Sequence, residues 1–140
     1  MATITELSTE LRMATFRLSR RLRAEKADQA LSDAQLAVLG VLYRRGARTL
    51  TELAEAERVS APSMNRTVNC LEESGHVVRT ADEVDRRKSN ITLTDAGRDV
   101  VQQTLSKRDA WLTTRLRELS KDDRAVLARA AELMGGLATR

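Results

Sequence analysis

Apolar residues near the start of the chain recur at alternating spacings of three and four: Ile4, Leu7, Leu11, Ala14 and Leu18. That rhythm predicts a helix over residues 3–26 with a narrow, coiled-coil-like seam. A second helix is predicted over residues 32–43. It opens with Ser32 and Gln35 in capping-box spacing, and Leu36, Leu39 and Leu42 form its core stripe. Arg44 and Arg45 before Gly46 place positive charge at the negative end of its dipole, and Arg45 or Arg48 is also a candidate phosphate contact.

The pattern tightens in the middle of the chain. Thr49 and Glu52 repeat the capping-box spacing, and Leu50, Leu53, Ala54 and Ala56 give a short apolar face. Arg58 and Val59 lead out of it, and the Ser60 hydroxyl caps the next helix. Pro62, the one proline, falls in that helix's first turn, where a missing N–H breaks nothing. Met64, Val68 and Leu71 make a buried stripe, and Gly75 stops the helix. Two strands come next, 76–80 and 89–93, with Val78 and Thr80, then Ile91 and Leu93, in period-two alternation. Thr94 caps a long helix over 95–119, with Asp95 and Asp99 suiting its dipole and Val101, Leu105, Leu112, Leu116 and Leu119 as apolar content. Ser120 and Asp123 open a last helix bearing Val126, Ala130, Leu133 and Leu137. The fold class is therefore mainly α with a small β-hairpin.

Composition narrows the setting. One proline and six glycines in 140 residues fit a helical chain, and the length suits one domain or a protomer that completes its core by dimerising. No apolar run approaches the roughly 20 residues that span a membrane, and the first residues lack a signal-peptide layout. A single cysteine forms no internal disulfide, which fits a reducing cytoplasm. The net charge of +4 lies wholly in residues 1–50, with nine Lys/Arg against five Asp/Glu; residues 51–140 hold fifteen of each. Any positive field in the middle segment must therefore come from local placement of Arg66, Arg79, Arg86, Arg87 and Lys88.

Opposite the Met64–Val68–Leu71 stripe stand Ser63, Asn65, Arg66 and Asn69, short or forked hydrogen-bonding side chains suited to base edges. An ordinary solvated helix face would look similar, but the short capped helix before it and the hairpin after it favour reading. The hairpin tip carries Asp85, Arg86, Arg87 and Lys88, and an arginine there can enter a minor groove. Asp85 either holds one arginine in place or repels phosphate. Enzymatic chemistry finds no support. His76 is the lone histidine, Cys70 and His76 have no zinc spacing, and neither a phosphate loop nor a nucleophile elbow occurs. No cofactor or metal is expected. Cys70, next to Leu71, is expected to be a small buried hydrophobe rather than a redox switch.

The run Asp85-Arg86-Arg87, then Ile91-Thr92-Leu93-Thr94 and Gly97-Arg98, resembles the wing-and-helix signature of the MarR family of bacterial transcription regulators. Leu71-Glu72-Glu73-Ser74-Gly75 is similar to that family's recognition-helix exit. The likeness covers nearly the whole chain; Glu83-Val84 stand before Asp85 where many members have a proline. The resemblance implies a winged helix-turn-helix over residues 32–97 inside one domain of 1–140, with helices 1–27 and 98–140 pairing in a homodimer. Ile4, Leu7, Leu11, Leu116, Val126, Ala130, Leu133 and Leu137 would form that dimer seam. It also implies a repressor on a pseudo-palindromic DNA operator, read through Ser60, Pro62, Ser63, Asn65, Arg66 and Asn69. A small aromatic or phenolic effector often releases such proteins, and Phe16, Tyr43 and Trp111 are the rings available to meet one. The competing expectation is a winged-helix module that binds protein instead of specific DNA.

Overall fold

The computed structural model describes residues 1–140, in six helices and three short strands. The chain divides into two compact units: residues 23–107, and residues 1–22 together with 108–140.

The central unit begins with a loop anchored to its far end, since the Ala27 N–H donates to the Thr104 hydroxyl at 3.1 Å and satisfies that buried group. Helix α1 spans Ile4–Arg23 and ends at this loop; helix α2, Asp33–Arg45, carries the expected capping box between Ser32 and Gln35. Leu36, Leu39 and Leu42 are buried as the stripe predicts, and Val38 and Val41 are buried as well. Helix α2 is thus covered on more than one side, the mark of a helix inside a core rather than on its rim.

Strand β1, Arg48–Thr49, leads into helix α3, Leu50–Glu57, whose Thr49–Glu52 capping box is complete. Leu53 and Ala54 are buried. The turn beyond α3 depends on Arg58, the one non-glycine residue with positive φ, at 55°. Its left-handed conformation closes the helix end, with Val59 N donating to the Ala54 carbonyl at 3.0 Å. Helix α4, Ala61–Glu73, starts at the Ser60 cap and buries Met64, Val68 and Leu71. It stops at Gly75, φ 82°, with His76 N donating to the Leu71 carbonyl at 2.9 Å.

Strands β2, Val77–Ala81, and β3, Ser89–Leu93, form the hairpin, and β1 adds to the far side of β3 to give the order β1-β3-β2. The third strand was not expected, because two residues beside a helix cap show no periodicity to read. The inward face of β2 also differs from expectation. Val77 is 1% exposed while Val78 is 44% exposed. The antiparallel register explains this: Val77 pairs with Leu93 and Arg79 with Ile91, so 77 and 79 share the face of the buried Ile91.

Helix α5, Asp95–Arg117, opens at Thr94, whose hydroxyl accepts from Gly97 N at 3.1 Å and donates to the Gly75 carbonyl at 2.6 Å. Its first turns complete the core with Val100 and Val101.

The other unit consists of α1, the last turns of α5, and helix α6, Lys121–Ala138, capped by Ser120. No residue of α1 or α6 is buried. Arg108 Nε donates to the Leu22 carbonyl at 3.1 Å, and the guanidinium carbons of Arg21 and Arg115 lie 4.6 and 4.5 Å from the Trp111 ring centre. No helix is long and apolar enough to cross a membrane.

Gly97 marks the tightest joint in the central unit. A Cβ there would lie 2.1 Å from the His76 carbonyl oxygen and 3.1 Å from Leu93 Cδ2. Backbone cannot yield as a side chain can, so Gly97→Ala is expected to destabilise the fold by about 1–3 kcal/mol. Urea unfolding should show a lower midpoint with an unchanged slope; an unchanged midpoint would mean that the joint has room to spare.

Candidate nucleic-acid interface

Helix α4 advances about 100° per residue, so burial of Met64, Val68 and Leu71 dictates where every other side chain points. Arg66 lies almost opposite the stripe and is exposed, without an intramolecular ion pair. Ser63 falls on one flank of Arg66, and Asn65 with Asn69 on the other; Ser63 and Asn65 are half-buried and Asn69 exposed. The four residues expected to act together are a band across the helix rather than one cluster. Pro62 shares the outer side at the first turn, and Ser60 is committed to capping, accepting from Ser63 N at 3.2 Å.

Cys70 does not take the buried place expected of it: it is a free, exposed thiol. It precedes Leu71 by one residue, and that one step carries it off the buried stripe. His76 is half-buried, with Nδ1 2.6 Å from the Ser74 hydroxyl, and helps join the end of α4 to β2.

The asparagine flank is occupied from an unforeseen side. Arg79, turned inward on β2, donates through Nη2 to Asn65 Oδ1 at 3.1 Å and Asn69 Oδ1 at 2.6 Å. Its Nε lies 3.7 Å from Glu72 Oε1, so residues 65, 69 and 72, at helical spacings of four and three, all face one guanidinium. With Val78 as the expected inward residue, Arg79 would be one more surface cation. Only the correct parity of β2 would have revealed it.

At the wing tip Asp85 does hold an arginine. Its Oδ1 accepts from Arg87 N at 3.1 Å and Arg87 Nε at 3.2 Å. The Arg87 side-chain and backbone hydrogen bonds, in that order, hold the Asp85 carboxyl below its ordinary range, with a smaller contribution from Lys88. A carboxylate lowered in this way stays ionised until the pH falls through its depressed pKa, so the pair persists throughout the neutral range. Arg86 and Lys88 are exposed and lack ion pairs. Below the tip, a cleft of about 560 Å³ runs between the start of α3 and the wing, with Arg79, Arg87 and Lys88 facing Glu52 and Glu55. Two carboxylates there make it a poor phosphate cradle. No three His, Cys, Asp or Glu side chains gather as metal ligands.

The three rings and the expected seam residues divide between the units. Tyr43 belongs to the central unit, half-buried with the Arg98 guanidinium 5.8 Å from its ring centre. In the other unit Phe16 is 61% exposed, whereas two arginines already stack on Trp111, whose buried Nε1 has no hydrogen-bond partner. Of the seam, Ile4, Leu7, Leu11, Val126, Leu133 and Leu137 are exposed, and Leu116 and Ala130 half-buried.

Comparison with known proteins agrees with this geometry. The MarR family model matches residues 31–88. An uncharacterised HTH-type transcriptional regulator of Mycobacterium bovis is 36% identical over 128 residues, covering 91% of this chain and 90% of that protein. The HTH-type transcriptional repressor MdtR of Bacillus subtilis is 27% identical over 143 residues, covering 94% and 92%. A crystal structure of a candidate transcriptional regulator from Pseudomonas aeruginosa superposes with a TM-score of 0.87 at 34% identity, covering 97% of this chain and 96% of that one. The chain belongs to the MarR family: it is a transcriptional regulator with a DNA-binding helix-turn-helix, and not an enzyme.

Proposed function

We propose that this regulator is a cytoplasmic homodimeric repressor that reads a pseudo-palindromic operator. The observation that carries the reading is Arg66: a forked cation, exposed and unpaired, on the outer side of a rigidly seated helix with hydrogen-bonding neighbours on both flanks. Arginine in that position pairs bidentately with guanine O6 and N7. In this reading α4 enters a major groove while Arg86, Arg87 and Lys88 approach the flanking minor groove, where narrow A·T tracts concentrate negative potential. The regulatory direction is that of the related repressor of Bacillus subtilis.

Dimerisation is supported by what one chain leaves uncovered. Ile4 is 86% and Val126 65% exposed, and neither α1 nor α6 buries a single residue. Water-exposed apolar seams of this extent on both terminal helices favour burial against a second copy. Two-fold symmetry would set the half-sites about one helical turn, 10–10.5 base pairs, apart. A small aromatic or phenolic effector would act by favouring a spacing of the two α4 helices that mismatches the operator, which requires different affinities for the two spacings. Among the three rings, Phe16 is the one left bare for such a ligand.

A gel shift with the chain's own upstream DNA should show sequence-selective binding that weakens as salt rises. Arg66→Ala is expected to lose about 1–3 kcal/mol and relax selection at one base position. Alanine at Arg86 or Arg87 should weaken A·T preference in the flanks instead. Unchanged binding in a variant with Arg66, Arg86 and Arg87 all replaced by alanine would remove the DNA-reading assignment.

Sedimentation equilibrium should return a dimer at micromolar concentration. Leu7→Glu combined with Val126→Glu should leave folded monomers, with an intact circular-dichroism spectrum and much weaker operator binding. A wild-type monomer would overturn the symmetric arrangement.

A further inference from the structure

We propose that Arg79 is a positioning residue for base recognition: it fixes the side-chain amides of Asn65 and Asn69 in one orientation and so sets the base preference of α4. The inference rests on the DNA-reading role of α4 proposed above and adds a residue outside its reading face. An asparagine amide turned about its last bond exchanges an acceptor for a donor at nearly the same place. A free asparagine can therefore offer either end to a base. These two cannot. One guanidinium nitrogen of Arg79 bonds both carbonyl oxygens, at 3.1 and 2.6 Å. Turning either amide would set an N–H donor against a cationic donor and lose a charge-assisted hydrogen bond.

Arg79 is itself constrained. It faces inward on β2 because its register partner is the buried Ile91. Glu72 Oε1 lies 3.7 Å from its Nε, which is buried without a hydrogen bond of its own. The guanidinium is thus fixed from the wing side and from the helix side together. With both carbonyls fastened, the amino groups lie on the far side of each amide and are the ends available to DNA. A donor suits the acceptors of guanine, adenine N7 and thymine O4, but meets only the N4 donor on a cytosine edge. The chemistry therefore predicts rejection of cytosine where Asn65 and Asn69 read the strand. Removing Arg79 should free the amides to turn, and cytosine would then be tolerated.

The test is selection from randomised duplex DNA, with affinity and salt titrations on the selected site. Wild-type protein should disfavour cytosine at two positions by at least about fivefold. Arg79→Ala should erase that bias at the positions that Asn65→Ala and Asn69→Ala identify. It should add little when combined with them, because residues acting through one network are not additive. The salt slope should stay the same. A slope lower by about 0.9 with the base profile kept would make Arg79 an ordinary phosphate contact and overturn the inference. Wild-type protein that selects no sequence would overturn the DNA reading and this inference with it. A selective wild type whose Arg79→Ala profile is unchanged would overturn this inference alone. Should Arg79→Ala fail to fold, NMR of the wild-type side-chain amides decides. Order parameters near 0.85 for both Nδ2 groups support the clamp, and values below about 0.6 overturn it.

Discussion

The rotation of α4 about its own axis is the constraint on which its outer face depends. Val68 and Leu71 are completely buried and Met64 nearly so, packed with the residues of α2 and α3. Burying side chains of this size contributes roughly 1.5–3 kcal/mol each. A turn of the helix by one residue would swap them for Asn65, Asn69 and Glu72, losing that contribution and burying polar groups without partners. One orientation therefore wins by a wide margin, and it is the one that sends Arg66 outward. Helix α2 makes this possible by being covered on several sides, a hub against which the short α3 and α4 can be seated.

A second set of ties locates the wing relative to that helix. The Thr94 hydroxyl reaches the Gly75 carbonyl, Thr94 N donates to the His76 carbonyl at 3.1 Å, and Gly97 lets α5 approach the same carbonyl. Arg79 adds a polar link between β2 and α4. The tip is held differently. Asp82 Oδ1 accepts from Val84 N at 2.8 Å, and Asp85 accepts from Arg87, all within a few residues and mostly exposed. The hairpin thus has a base anchored to the core and a tip held only by its own local bonds. That division leaves the wing's distance from the helix fixed while the arginines at its tip keep local freedom.

Charge works here by placement rather than by amount. Arg48, Arg79 and Arg87 each have a carboxylate within 4 Å, at Glu52, Glu72 and Asp85. Arg66, Arg86 and Lys88, exposed and without ion pairs, have more to gain from a polyanion than these three. The net surplus in residues 1–50 contributes a general attraction, and cannot by itself select a sequence.

Much of this was legible without coordinates. The capping boxes at Ser32 and Thr49, the caps at Ser60 and Ser120, the Met64–Val68–Leu71 stripe and the Gly75 stop are local signals, written in residues three or four apart that meet within one turn. The missed features share a different origin. Strand β1, the inward parity of Val77 and Arg79, and the exposure of Cys70 each depend on pairing or rotation relative to distant residues. Val77 and Val78 are chemically identical, so composition cannot say which faces inward; only the hydrogen-bond register with β3 decides. The chain by itself thus determined its helices, its turns and the residue types on the outer face of α4. Tertiary structure alone decided which atoms of Asn65 and Asn69 stay unbonded, because that depends on an arginine ten and fourteen residues away.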